Sequence, residues 1–394
     1  MIKLIKWIIN KIKSLFKKKG GLSFNDILPD FQDRFEFGLY AHASWYNFES
    51  KLIPYDEIKV MGIDFVYEQY SGIKHIVNAI KEAKKAGLKV LINGTYNIYN
   101  LNLSNLVADI KTAFDTFEDY KNNTFLGVLA YDEPHIEQRG NSDRACLPWI
   151  KKNIVDKFKS SELGGKCFIN CLPNYARQSQ IVTGDYISSE EYVDQDSYSD
   201  YVAKCAEISD VVCGDFYGPF TGKKEVLWEP YLKTMQQVSK AYNKPLWQFV
   251  SCVQQGGALY PTLELLKHRI VMNVIFGAQA IIFFKMMDYS SDGAPWDKNR
   301  EKSPTYYMLQ ELLNDEIFKF QLGLFRNANI ISTTNKGKHY EVLLNKNNHR
   351  YHCFYALEDT VIDCCNKITP DGISLVNNNR CLLEKGSLLI SLVK

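Results

Sequence analysis

The sequence predicts an α/β chain built as a (β/α)8 TIM barrel, with a small C-terminal antiparallel β domain and an N-terminal amphipathic helix. Three observations carry this prediction. Eight short apolar runs recur between residues 35 and 286, each followed by a stretch with helical spacing. Such strict alternation of strand and helix calls for parallel strands joined by crossover helices. After Phe325 the rhythm stops, and short apolar runs alternate instead with Asn, Asp and Gly turns.

The elements follow in order. The first 19 residues read "MIKLIKWIINKIKSLFKKK". At ~100° per residue, Ile2, Leu4, Ile5, Ile8, Ile9, Ile12, Leu15 and Phe16 share one side of a helix, and six lysines take the other. The lysines interrupt every stretch that could serve as a cleavable signal, and no apolar run approaches the roughly 20 residues of a membrane span. The pattern fits a helix lying on an anionic membrane surface, or one docked on a protein with its lysines solvated. The expected location is therefore cytoplasmic or peripheral at the inner face of a membrane. Gly20 and Gly21 break this segment, which gives the division 1–21 basic helix, 22–325 barrel, 326–394 β domain.

The eight strand candidates are 35–42, 62–70, 87–93, 125–133, 166–173, 210–217, 245–251 and 280–286. Between the second and third, Ile73, Ile76, Val77, Ile80 and Ala83 fall at helix spacing, and Gly87 supplies the stop. After the eighth, Ser303 and Pro304 stand as N-cap and first helical residue. Eight units in this length match a barrel. The competing doubly wound sheet would carry a glycine-rich phosphate loop after its first strand, and "LYAHASWYNFES" is not one. Beyond the barrel, "YEVLLNK", "RYHCFYAL", "TVIDCC", "ISLV", "RCLLEK" and "SLLISLVK" read as strands of the terminal domain.

Composition narrows the function. With 47 basic and 45 acidic residues the formal charge is +2, so no overall field recruits nucleic acid. The ten cysteines lack zinc-site or disulfide-scaffold spacing, and they read as small core side chains in a reducing compartment. The seven histidines show no ligand motif, so neither a metal nor another cofactor is expected.

Barrel active sites lie at the C-terminal ends of the strands. The fourth run, "GVLAYDEPHI", ends there on two adjacent carboxylates, Asp132 and Glu133, followed by Pro134. The same rim should carry Glu68, Asn93, Asn170, Asp215, Tyr217, Asp288 and, after the first strand, His42 and Trp45, with Trp247 in the seventh. Carboxylates, amides and aromatic rings in one mouth suit a sugar, whose hydroxyls pair with the former and whose C–H faces stack on the latter. Two carboxylates flanking a glycosidic bond supply the proton for the leaving oxygen and the base or nucleophile opposite. Glu133 is the expected general acid, Asp215 or Glu68 its partner, and Asp132 an orienting group. The remaining rim residues are expected to bind substrate.

Together with "GVLAYDEPHIEQ", the segments "FINCLPNYA", "CGDFYGPF", "PLWQFVSC" and "LKHRIVMNVIFGAQAIIFFKM" resemble a poorly characterised group of bacterial barrel glycoside hydrolases related in fold to clan A. The likeness covers roughly residues 36 to 394. It implies the acid/base role for Glu133. Clan A enzymes place a second Glu at the end of the seventh strand, where this chain has Gln248, Phe249, Val250 and Ser251, so the nucleophile role does not carry over. Two readings stay open: a glycoside hydrolase acting on a poly- or oligosaccharide, or a catalytically degenerate barrel that binds carbohydrate or serves as a structural surface protein.

Overall fold

The structure is a computed structural model that describes residues 24–41, 54–69, 73–93, 107–112, 124–140, 143–161, 163–219, 222–254, 259–287, 293–364, 366–369, 372–375 and 380–393. The basic segment 1–19 and three expected site residues, His42, Trp45 and Asp288, lie outside these.

Eight parallel strands close into one barrel in sequence order: β1 (Glu36–Tyr40), β2 (Phe65–Gln69), β3 (Lys89–Asn93), β4 (Phe125–Asp132), β5 (Lys166–Cys171), β6 (Val212–Asp215), β7 (Leu246–Ser251) and β8 (Ala278–Phe284). Each falls on one of the eight apolar runs. Alternate residues turn inward, and Phe65, Tyr67, Leu91, Leu129, Phe168, Cys213, Trp247, Phe249 and Ile282 fill the interior as packed side chains. The barrel is a solid core, and chemistry is confined to its ends.

Outside, amphipathic helices cover the strands. The helix Gln195–Ile208 starts where Asp194 accepts hydrogen bonds from the Asp196 and Ser197 backbone N–H groups at 3.0 and 2.9 Å. It buries Tyr198, Tyr201, Val202, Cys205 and Ala206. Strands β4 and β5 approach closely at Gly127, whose φ of 148° and whose neighbour Lys166 leave no room for a side chain. Among the described residues the cysteines are free thiols, and all but Cys381 are buried. No helix among them is long and apolar enough to cross a membrane.

The chain divides into two compact units, one comprising Glu36–Arg269 and Ala280–Glu311, the other the residues up to Phe35, Ile270–Gln279 and Leu312 onward. The second contains a six-stranded sheet in the order β14 (Gly372–Leu375), β13 (Asn366–Thr369), β16 (Leu388–Val393), β11 (His349–Ala356), β10 (His339–Lys346), β9 (Asn329–Asn335). A two-stranded sheet pairs β12 (Thr360–Asp363) with β15 (Arg380–Leu383), and the strand pairings throughout are antiparallel. Within this unit Asp30, fully buried, accepts hydrogen bonds from Asn347 Nδ2 at 2.8 Å and from the Tyr351 hydroxyl, and sits 2.8 Å from His349 Nδ1. A buried carboxylate is tolerated because it is so fully paired.

Candidate active site

The last residues of β4 break the strand rules twice, and both breaks serve one cavity. Leu129 pairs with Phe168 and Tyr131 with Ile169, so one extra residue, Ala130, is inserted into β4. Without this bulge Asp132, three residues after the inward-facing Leu129, would turn outward. With it, Asp132 lies opposite Asn170 on the inner face, and Asn170 Nδ2 donates to Asp132 Oδ1 at 2.8 Å. Glu133 then takes φ 55°, a left-handed conformation uncommon for a residue with a side chain. Its N–H donates to the Asn170 carbonyl at 2.9 Å. Strand alternation alone would send Asp132 and Glu133 to opposite faces; the left-handed turn brings both toward the same mouth.

Asp215, the last residue of β6, completes the group. It is 4% exposed, and its Oδ1 has no hydrogen-bond partner among the described residues. Burial, then repulsion from Asp132, pushes its carboxyl up to about 7, against the opposing hydrogen bonds of Tyr217 and Asn170. Burial also raises Asp132, against the bond from Asn170. Glu133 is open to solvent at the cavity but closely walled by protein, and loss of water, then Asp215, then Asp132 hold it well above the usual glutamate range. Burial and mutual repulsion raise all three acids, which favours a proton held within the cluster.

A cavity of about 220 Å³ opens in front of them. Glu133, Asp215, Tyr175, Tyr217, Arg177 and Lys224 are among its lining residues. Tyr217 stacks on Phe284 with centroids 5.0 Å apart. The helix Gln195–Ile208 fixes the backbone around the acids. The Tyr201 hydroxyl donates to the Pro134 carbonyl at 2.9 Å and accepts from the Leu172 N–H at 3.1 Å, and the Tyr198 hydroxyl donates to the Leu172 carbonyl at 2.9 Å. From the helix Leu263–Ile275 the buried Arg269 donates to the carbonyls of Gly218 after β6, Ser251 at the end of β7 and Leu259 beyond it, at 2.9, 2.7 and 3.3 Å.

Of the expected residues, Asp132, Glu133, Asn170, Asp215 and Tyr217 come together here. Asn93 is buried at the end of β3, two residues from the inward Leu91 and so on the same face. Two expectations need correction. Glu68 follows the inward Tyr67, so it turns out of the barrel, where it is fully buried and accepts a hydrogen bond from Tyr55. It stands apart from the mouth. Trp247 packs inside the barrel against Phe168 and Phe65, centroids 5.3 and 6.0 Å away, level with Cys213 and one inward layer below Phe249 and Asp215. It is core. Gln248 likewise faces outward and accepts from the Tyr231 hydroxyl at 2.6 Å. Sequence reasoning missed Tyr175, Arg177 and Lys224, although Tyr175 stands inside the quoted "NYA" segment and Arg177 follows it directly.

No protein-family model matches the chain, and none of the curated proteins matches it. Among solved structures it is similar to an α-amylase from Anoxybacillus, at 11% identity and a TM-score of 0.50, over 92% of this chain and 98% of that one. It is also similar to an endoxylanase from Clostridium papyrosolvens (12% identity, TM-score 0.48, 92% and 97% covered) and a maltogenic α-amylase from Thermotoga neapolitana (11%, 0.49, 91% and 96%). The class thus defined is the (β/α)8 barrel with an added antiparallel β unit. At such identities the likeness to the Anoxybacillus structure speaks for this fold alone.

Proposed function

We propose that this chain is a glycoside hydrolase in which Glu133 donates the proton to the departing glycosidic oxygen and Asp215 is the second carboxylate. One observation carries the reading: a bulge turns Asp132 to the inner face and the left-handed Glu133 follows it, lining one cavity with Asp215, whose Oδ1 has no hydrogen-bond partner among the described residues. A general acid must hold its proton until the bond breaks, and the loss of water and the neighbouring charges at Glu133 favour its protonated form. Asp215 Oδ1 is free to receive either a water proton or the sugar carbon, while Asp132, fastened by Asn170, keeps charge close to both. Tyr217 and Tyr175 offer hydroxyls and ring faces to the sugar.

The test is a screen of chromogenic glycosides and natural polysaccharides with wild type and Glu133→Gln. The variant should lose about 10²- to 10⁴-fold in turnover while still binding. The product anomer, read by proton NMR before it mutarotates, then separates retention from inversion. Carbohydrate binding without turnover is the second reading, favoured by the end of β7, which has Gln248, Phe249, Val250 and Ser251 where the resemblance calls for a carboxylate. Binding with no cleavage of any substrate by wild type would select it.

We also propose that the basic segment 1–19 attaches the protein to anionic lipid, because its apolar stripe and lysine face act in concert. Salt-sensitive co-sedimentation with anionic but not neutral vesicles is expected. Equal binding to both, or to neither, rejects the attachment.

A further inference from the structure

We infer that the sugar this cavity accepts is anionic, and that Arg177 and Lys224 form a subsite for its carboxylate, sulfate or phosphate. The inference rests on the glycoside hydrolase reading above and names its substrate class.

Both cations line the same cavity as Glu133 and Asp215, Arg177 from the loop after β5 and Lys224 from the Gly222–Leu227 turn after β6. Each lies on an aromatic ring that sets its position: the Arg177 guanidinium 4.4 Å from the Tyr192 centroid and the Lys224 ammonium 4.2 Å from that of Tyr175. The guanidinium of Arg177 makes no ion pair among the described residues. The acids nearest in sequence are engaged elsewhere, since Asp185 binds Arg139 through both oxygens and Glu190 accepts from the Ser179 N–H at 3.1 Å.

The two cations also repel one another. Partial burial, then Arg177, lowers the Lys224 ammonium from its ordinary range. Glu133, on the same cavity, is raised by burial and then by its acid neighbours Asp215 and Asp132. Tyr175 stands between the two groups. Its ring carries Lys224, while burial and then the charges of Asp215 and Glu133 raise its phenol. A neutral sugar gains little from two half-buried, mutually repelling cations. An oxyanion on the sugar relieves the repulsion and accepts charge-assisted hydrogen bonds from both.

The experiment uses the full chain carrying Glu133→Gln, so that ligands survive. Binding is measured by titration calorimetry for matched oligosaccharides: neutral, uronate-bearing, 6-sulfated and 6-phosphorylated. At least one anionic series should bind about 10-fold or more tightly than its neutral match, and this advantage should shrink as salt rises. Adding Arg177→Gln should erase most of the preference, and Arg177→Lys should keep part of it. Which series responds identifies the anion. Equal binding of neutral and anionic ligands, or a preference that survives in the Arg177→Gln, Lys224→Gln double variant, overturns the subsite. The two readings fail separately. Cleavage of neutral saccharides by an otherwise wild-type chain, with no anionic preference, refutes the subsite and keeps the hydrolase. Arg177-dependent anion binding without any cleavage does the reverse.

Discussion

The stored proton makes the site a burden on folding, and Asp215→Asn should remove that burden. In the folded chain the Asp215 carboxyl sits at about 7 against an ordinary 3.8. Below about pH 4 folded and unfolded chains both hold the proton, and the substitution has little electrostatic effect. As pH rises the unfolded chain releases it first, so stability falls between pH 4 and 7 and stays low above. At 1.36 kcal/mol per tenfold change, the loss is about 4 kcal/mol at pH 8. The asparagine forfeits part of this gain, because its amide cannot match both Tyr217 and Asn170 as the carboxyl does, and one polar group left unsatisfied costs about 1–3 kcal/mol. The expected outcome is an inactive protein more stable than wild type by about 1–3 kcal/mol at pH 8, with no gain at pH 4. Urea unfolding of the barrel at pH 4, 6 and 8, followed by tryptophan fluorescence, measures it. A variant less stable than wild type at pH 8, or shifted equally at all three values, refutes the account of a buried acid strained by its neighbours.

The same group should shape catalysis: activity falls on the acid side with a limb near pH 7, where the Asp215 cluster titrates, and Glu133→Gln abolishes the opposite, alkaline limb in any residual rate. An acid limb near pH 4 would count against Asp215 as an ionised participant. Tyr201→Phe removes a hydroxyl that touches the backbone on both sides of the site and no substrate; turnover should drop by about 10-fold with KM nearly unchanged and the far-ultraviolet dichroism intact. Gly127→Ala places a Cβ 2.0 Å from the Lys166 carbonyl oxygen at a φ of 148°, so β4 and β5 must part. The variant should be recovered insoluble or melt many degrees lower, and a wild-type melting curve would show that the strands have slack there.

What the sequence discloses and what it hides divide along a physical line. The eight barrel strands are legible because each must be apolar along nearly its full length to lie between barrel core and helices, and Cys167–Cys171 or Val211–Cys213 can be nothing else. In the β unit, β10 and β11 are legible for the same reason. β9 was not named among the runs, because "NIISTTN" buries little beyond Ile330 and reads as polar loop. At the site, Glu133 and Asp215 are legible as acids that end apolar runs. The face each residue takes is not. Glu68 sits in a run as regular as that of Asp132, yet only the β4 register shift decides that one points in and the other out. A bulge leaves no mark in composition, since Ala130 is an ordinary core alanine. Arg177 and Lys224 escaped notice because a loop cation is commonplace, and only folding brings the two loops together.

Arg269 has a consequence for how this barrel can vary. βα loops are usually treated as interchangeable parts, each replaceable while its neighbours stand. Here one guanidinium closes three carbonyls, of Gly218 after β6, of Ser251 at the end of β7 and of Leu259 beyond it, so the segments after β6 and β7 are a single part. Lengthening either one pulls a carbonyl away from a buried charge, and the cost reaches the loop that was left alone. Grafting a new specificity onto this scaffold therefore requires exchanging both segments together with residue 269, or confining changes to the loop after β5.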